Sequence, residues 1–247
     1  MQERYLGDIH DFHKFLFLKF IKYTSSLNLG LNFYNVNPKI LGKNEVSKND
    51  GEKRKYLNND RYRKLDQLMI KEFTELVSKK NRKFKSFIKY SHLKKYINFY
   101  HDEIRLNDRK IWFKNSMIKL KNCDIIFLDP DNGLIPKSVK KKSMQSLKYV
   151  LFDELSEILA TNKVVIFSQS QSYSKYHKTF LKEKINEISD NINISVNFPI
   201  IRNRTSPNSF FFTISKDIYF DEINSLLKKY ANFHGNIELI DPLFITE

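Results

Sequence analysis

Two carboxylates and a carboxamide stand together in Asp129-Pro130-Asp131-Asn132-Gly133, directly after the apolar run Ile125-Ile126-Phe127-Leu128. Four consecutive apolar residues, two of them Ile, predict a strand buried on both faces, as in a parallel sheet. The Asp-Pro-Asp-Asn-Gly segment then breaks the strand. In open α/β sheets, ligands bind in the crevice beyond the carboxyl ends of the strands. The expected reaction centre is therefore Asp129, Pro130, Asp131 and Asn132. Read as metal chemistry, Asp129 and Asp131 are hard oxygen ligands for Mg²⁺ or Mn²⁺. Read as backbone chemistry alone, the segment is a good turn, with Asx bonds and a glycine at positive φ. Ser168-Gln-Ser-Gln-Ser172 ends a second apolar strand, Val164–Phe167, and so reaches the same sheet edge. Glu154 is either the first-turn acid of a helix or a third carboxylate of the site. His10 and His13 lie three apart beside Asp8 and Asp11, which suggests a metal pair, but an exposed helix start accounts for them better.

Periodicity places these residues on elements. A helix is expected over 8–23, capped by Asp8, then a strand over 29–36. Residues 37–59 are polar and read as a long loop or mobile insertion. A helix follows over 60–78, an ambiguous stretch over 81–101 (strand then helix, or helical throughout), and a helix over 108–120 with Trp112 in the core. Beyond the acidic turn come a helix over 153–161, the strand 164–167 and a helix over 173–189. Strands over 194–201 and 209–214, joined by a short loop, should form an antiparallel pair at the sheet edge. A helix over 217–230 and a short apolar tail at 237–240 complete one domain spanning 1–247. The fold class is α/β, a three-layer sandwich whose mostly parallel sheet ends in an antiparallel C-terminal hairpin.

Composition bounds the function classes. Hydrophobic residues make up 41% of the chain, enough to exclude wholesale disorder. No apolar run approaches the ~18 residues of a membrane span. Nothing in Met-Gln-Glu-Arg reads as a secretory signal, and the single Cys123 has no partner for an intramolecular disulfide, so a cytoplasmic location is expected. The formal net charge of +15 points to a polyanionic partner, DNA or RNA. Basic residues cluster over Lys79–Lys95 among Phe84, Phe87, Tyr90 and Tyr96, and again at Lys137, Lys140, Lys141, Lys142 and Lys148. Lys140, Lys141, Lys142, Arg202 and Arg204 are the expected phosphate contacts.

The order of elements resembles the C-terminal half of Rossmann-like methyltransferases that use S-adenosylmethionine, whose sheet ends in a reversed hairpin. Asp129-Pro130 resembles the start of the Asp-Pro-Pro-Tyr turn of adenine amino-methyltransferases; Asp131-Asn132 replaces the Pro-aromatic pair. Asp11-x-x-Lys14 is similar to the entry segment of ribosomal-RNA adenine-N6 methyltransferases. The resemblance implies S-adenosylmethionine as cofactor, held from Asp11, Lys14 and Asn32, and a nucleic-acid amine accepted by the Asp129 turn. No Gly-x-Gly follows the first strand, where such enzymes carry one. Asp129-x-Asp131 is also similar to the Asp-x-Asp-Gly of haloacid-dehalogenase phosphohydrolases, with Asn132 intervening, and Pro130-Asp131 resembles the start of the Pro-Asp…(Asp/Glu)-x-Lys motif of nucleases, whose lysine has no counterpart at Asp153-Glu154-Leu155; these likenesses imply a metal-dependent phosphohydrolase or nuclease. The pattern as a whole is similar to a group of bacterial proteins carrying the same Asp-Pro-Asp-Asn-Gly-Leu motif, which brings no activity with it. A catalytically inactive Rossmann module with a basic binding surface is the third expectation.

Overall fold

The computed structural model describes residues 1–48, 53–79, 82–171, 175–205, 208–233 and 235–246. After a 3-10 turn at Glu3–Tyr5, α1 (Ile9–Thr24) leads into β1 (Leu29–Phe33). Five helices, α2 (Pro38–Leu41), α3 (Lys43–Val46), α4 (Asp60–Leu65), α5 (Gln67–Ser78) and α6 (Phe84–Tyr90), precede β2 (Ile97–Tyr100). Next come α7 (Arg109–Lys119), β3 (Ile125–Asp129), β4 (Gly133–Leu134), β5 (Tyr149–Val150), α8 (Phe152–Ala160) and β6 (Val164–Ser170). The chain continues through α9 (His177–Ile192), β7 (Ile200–Asn203), β8 (Ser209–Ile214), α10 (Asp217–Ala231), β9 (Ile237–Ile240) and α11 (Pro242–Thr246).

Seven strands form the central sheet in the order β2-β1-β3-β6-β8-β7-β9. The first four are mutually parallel, and β8 runs antiparallel to both its neighbours. β1 leads on to β2 on one side, and β3 leads to β6 on the other. The strand order therefore reverses between β1 and β3, which is where open α/β sheets bind ligands. The alternation of side chains along each strand divides the core in two. Leu31, Phe33, Phe127, Ile166 and Phe211 pack against Phe12, Phe15 and Phe17 of α1. Leu128, Phe167 and Phe212 face Trp112, Leu155 and Leu181 on the opposite side. The result is the expected three-layer α/β sandwich of Rossmann type. No helix among the described residues is long and apolar enough to cross a membrane.

Several expectations need correcting. Segment 37–59 is not one polar loop: α2, α3 and a 3-10 turn at Lys55–Asn58 occupy most of it, and Tyr56 and Leu57 enter the core. Its residues 49–52 lie outside the described residues. The helix expected over 60–78 is broken at Asp66, which adopts an extended conformation (φ −158°, ψ 92°) and caps α5 through Met69 N. Its carboxylate also pairs with Lys19, so tertiary charge pairing overrides helical periodicity there. The stretch 82–100 runs helix then strand, in neither of the expected arrangements. The apolar tail 237–240 is β9, which covers β7, so the hairpin is not the outermost pair. The start of the helix expected at 173 falls in 172–174, outside the described residues; α9 begins at His177.

On the far side of the sheet, a buried network fixes the end of β1. Arg109 donates to Glu154 through Nε (2.7 Å) and a terminal nitrogen (2.9 Å), and to the carbonyls of Ser146 and Tyr149. The Tyr34 hydroxyl and Leu151 N donate to the same Glu154 carboxylate. Glu154 is thus a structural anion and not a third carboxylate of the acidic turn. Arg109→Leu strands that buried anion and should cost about 3–5 kcal/mol, a melting-temperature fall of roughly 10 °C for a chain of this size. The double change Arg109→Leu/Glu154→Leu should recover much of it; thermal denaturation showing additive losses would contradict this.

Candidate functional site

The site begins with the start of α1. Gly7 has φ +81°, a left-handed conformation suited to glycine. Its N–H donates to Asp11 Oδ2 at 2.8 Å, while Asp8 Oδ1 accepts from His10 N (2.9 Å) and Asp11 N (3.0 Å). Because α1 precedes β1 and lies antiparallel to it, this capped end sits over the carboxyl edge of the sheet. One turn on, Lys14 shares the buried side of the helix with Asp11. Lys14 Nζ donates to Asp11 Oδ1 at 2.5 Å and to Asp129 Oδ2 at 2.6 Å. All three groups are almost completely buried, with Lys14 and Asp11 at 2% and Asp129 at 6% exposure. The faces of Phe15 and Phe33 lie 5.0 and 5.2 Å from the ammonium group.

The acidic turn is held from both sides. Asp129 O accepts from Tyr34 N (3.3 Å), and Lys148 O accepts from Asn132 N (3.0 Å). The buried carboxamide of Gln169 spans the turn, donating to Asn132 O (3.0 Å) and accepting from Leu134 N (2.9 Å). Gly133 has φ +95°, and a Cβ there would stand 2.2 Å from Gln169 Oε1. The turn chemistry read in the sequence is therefore real, and it also aims Asp129 and Asp131 at α1. Gln2 Nε2 donates to Asp131 Oδ2 at 2.8 Å.

Between α1 and the turn is a cavity of about 100 Å³ lined by Tyr5, Asp8, His10, Asp11, Lys14, Asp129, Pro130, Asp131, Ser168, Ser170, Ser209 and Phe211, with Met1. Four carboxylates face it against Lys14 and the N-terminal ammonium of Met1, which lies 3.5 Å from Asp131 Oδ1. Burial drives Asp8 from its ordinary 3.8 up to about 6 and Asp11 up to about 7, for Asp11 against the opposing pull of Lys14. Burial also works against the charge of Lys14, but Asp11 and Asp129 more than offset it and hold the amine above its ordinary value. His10 is pushed down to about 4, chiefly by burial, and Lys53 adds to the effect. The imidazole is therefore neutral at pH 7. Asp129 Oδ1 has only a long contact, 3.5 Å, to Ser168 Oγ. This is a cavity with excess negative potential and a carboxylate oxygen whose acceptor capacity is little used. It favours a ligand that brings hydrogen-bond donors.

The structure gathers some of the expected residues and separates others. Asp129, Pro130, Asp131, Asp11 and Lys14 line one cavity; Asn132 is outside its lining and is held through its backbone. Asn32 lies on β1 between Leu31 and Phe33, so strand alternation turns it to the opposite face of the sheet, away from Lys14. Lys140, Lys142 and Arg204 are exposed. Lys141 is taken up by Asp153 (2.8 Å) and Arg202 by Glu238 (2.9 Å). Lys148 is buried on Glu45 (3.0 Å) and is not part of a surface cluster. His13 is fully buried beside Phe12 and Tyr62, which rules it out as part of an exposed helix start. The residues missed in the sequence are Tyr5, Ser209 and Phe211. The Tyr5 ring stands under the Arg4 guanidinium at 4.6 Å.

As folded, the crevice does not fit S-adenosylmethionine. Pockets for ligands of that size run to about 300 Å³ or more, and the space above the end of β1 is taken by Met1 and Gln2. Met1 N donates to Tyr34 O, and Val36 N donates to Met1 O. At the positions read as cation ligands, Asp129 Oδ2 is engaged by Lys14, and Asp131 by Gln2 and the Met1 ammonium. Among the described residues no group of three His, Cys, Asp or Glu side chains is arranged to hold a metal.

The carboxyl shifts have a consequence for stability. Both folded values lie above the ordinary 3.8, so the native state keeps protons that the unfolded chain releases. Their stabilising contribution is complete below about pH 4 and is lost as the pH rises through 6 and 7. Asp8→Asn, which retains a capping oxygen, should flatten the decline in melting temperature over that range; an equally steep decline in the variant would contradict it. No protein-family model matches the chain, and neither a curated protein nor a solved structure is significantly similar to it.

Proposed function

We propose that the chain is a nucleic-acid-binding Rossmann-like module, whose acidic cavity receives an amino group of the polymer while basic side chains on the same sheet edge receive its phosphates. The observation that carries the proposal is the charge placement: four carboxylates against Lys14 and the Met1 ammonium inside, with exposed basic residues at the same sheet edge. β7 runs parallel to β6, so Arg204, just past its end, lies at the carboxyl edge. Thr205 there comes within 3.4 Å of His10 at the mouth of the cavity. The loop carrying Lys137, Lys140 and Lys142 joins the acidic turn to β5, and Lys141 ties it to Asp153 at the start of α8. A phosphate backbone laid over these cations would present its bases to the cavity.

The fold supports the same reading at the level of likeness. A reversed strand, β8, stands between β6 and β7, as in the sheet ending of Rossmann-like methyltransferases, and that similarity by itself gives no activity. In the proposal, Asp129 Oδ1 accepts an N–H of the substrate amine and increases electron density on its nitrogen. Lys14 fixes the carboxylate through its other oxygen. Since S-adenosylmethionine does not fit the crevice as folded, the proposal assigns this chain the gripping of the amine and derives no transfer step.

Fluorescence anisotropy with a labelled single-stranded oligonucleotide tests it. Affinity should fall steeply with salt, and Lys140→Ala, Lys142→Ala and Arg204→Ala should each lessen the slope by about 1. Asp129→Asn should leave that slope unchanged while weakening binding to amine-bearing bases. Salt-independent binding, or none, would overturn the proposal.

A further inference from the structure

Beside the acidic centre, the same face of the sheet carries a row of uncharged polar side chains, two of which have no hydrogen-bond partner among the described residues. Register places Ser170 of β6 opposite Ser209 of β8, and Ser209 opposite Asn203 of β7. Strand alternation turns all three to the α1 side, with Ser168, Phe211 and Ile201 in the adjacent row. Asn203 is fully buried, and neither its amide oxygen nor its amide nitrogen has a hydrogen-bond partner among the described residues. Ser209 is 5% exposed, and its hydroxyl, equally unpartnered, lines the cavity. Buried polar side chains are nearly always paired. An orphaned hydroxyl at the wall of a cavity, with an orphaned carboxamide paired beside it one strand further from the acidic turn, therefore makes a polar pair held ready for a ligand.

The chemistry of that ligand follows from the groups. The row contains no charge, so it does not suit an ion or a phosphate. A carboxamide offers one donor face and one acceptor face, and the hydroxyl offers either. The matching ligand edge carries a donor and an acceptor next to each other on a planar frame, as a nucleobase edge does. Asp129 stands level with Phe211 of β8, two strand spacings across, and Ser209 is two residues further along that strand, so the two backbones are roughly 12 Å apart. Phe211 and Tyr5 contribute aromatic parts of the cavity wall.

We infer that Asn203 and Ser209 form a base-selecting shelf: they read the ring edge of the nucleobase whose amino group reaches Asp129. The inference rests on the proposed function for the amino group, but its own content is the shelf. The groups it names determine which base enters, and they lie on β7 and β8, away from the acidic turn.

The test uses the intact chain and the four mononucleotides AMP, CMP, GMP and UMP, with affinities measured by ligand-observed NMR. The unaltered chain should prefer one amino-bearing base. Asn203→Leu should weaken that nucleotide by about tenfold or more and erase the preference, with the melting temperature unchanged or raised because an unpartnered amide has been removed. Ser209→Ala should weaken the same nucleotide, and it decides the matter if the leucine variant fails to fold. Unaltered affinity and preference in both variants would overturn the shelf, as would a lower melting temperature with preference intact, the signature of a merely structural amide. Preference that depends on Asn203 but is indifferent to Asp129→Asn would keep the shelf and overturn the role given to the acidic turn. Failure of the unaltered chain to bind any of the four would overturn both.

Discussion

The ammonium group of Lys14 is the interaction on which the site depends. It bridges Asp11 on its own helix and Asp129 at the end of the central strand β3, and so ties α1 to the sheet at the point where strand order reverses. In a site this buried, neither carboxylate is tolerable without the cation, and the cation is not tolerable without them; breaking such a pair costs about 3–5 kcal/mol. The arrangement does more than close a charge balance. Asp8 and Asp131 bring the local count to four carboxylates, against two cations, Lys14 and the Met1 ammonium. Burial has raised Asp8 and Asp11 into the range where protons come and go near neutrality. Groups so perturbed concentrate at functional sites.

That centre sits in a scaffold which makes its geometry rigid. Gln169 and Gly133 set the turn from one side, and the Arg109–Glu154–Tyr34 network anchors the end of β1 from the other. The first network is a fit between one carboxamide and a glycine with no Cβ. The second is a fully hydrogen-bonded buried ion pair. Together they keep Asp129 and Asp131 directed at α1 and not at solvent. The acidic turn is thus a supported feature with a cavity in front of it, more than a surface reversal.

Much of this was legible in the sequence because it depends on local pattern. The apolar run at 125–128 announced a buried parallel strand, and Asp-Pro-Asp-Asn-Gly announced its break. Asp8 announced the start of α1, and the spacing of Asp11 and Lys14 put them on one face. What stayed hidden depends on long-range pairing. Asn32 looked like a neighbour of Lys14, yet one residue of strand register sends it to the other face. Lys148 read as surface charge until Glu45, far away in the chain, supplied a buried partner. Asn203 and Ser209 carry no motif; only the antiparallel pairing of β7 with β8 brings them together beside the cavity. The break at Asp66 was invisible because its cause, Lys19, lies on another helix.

In the proposed complex a donor-bearing base enters the cavity between α1 and the acidic turn while its backbone follows the basic residues at that sheet edge. A crystal structure of the chain with a short single-stranded oligonucleotide should show an amino nitrogen within hydrogen-bond distance of Asp129 Oδ1, the ring edge on Ser209 and Asn203, and phosphates at Arg204 and the 137–142 loop. An oligonucleotide seated elsewhere, for example along the basic Lys83–Lys95 surface with no base at the acidic turn, would contradict it.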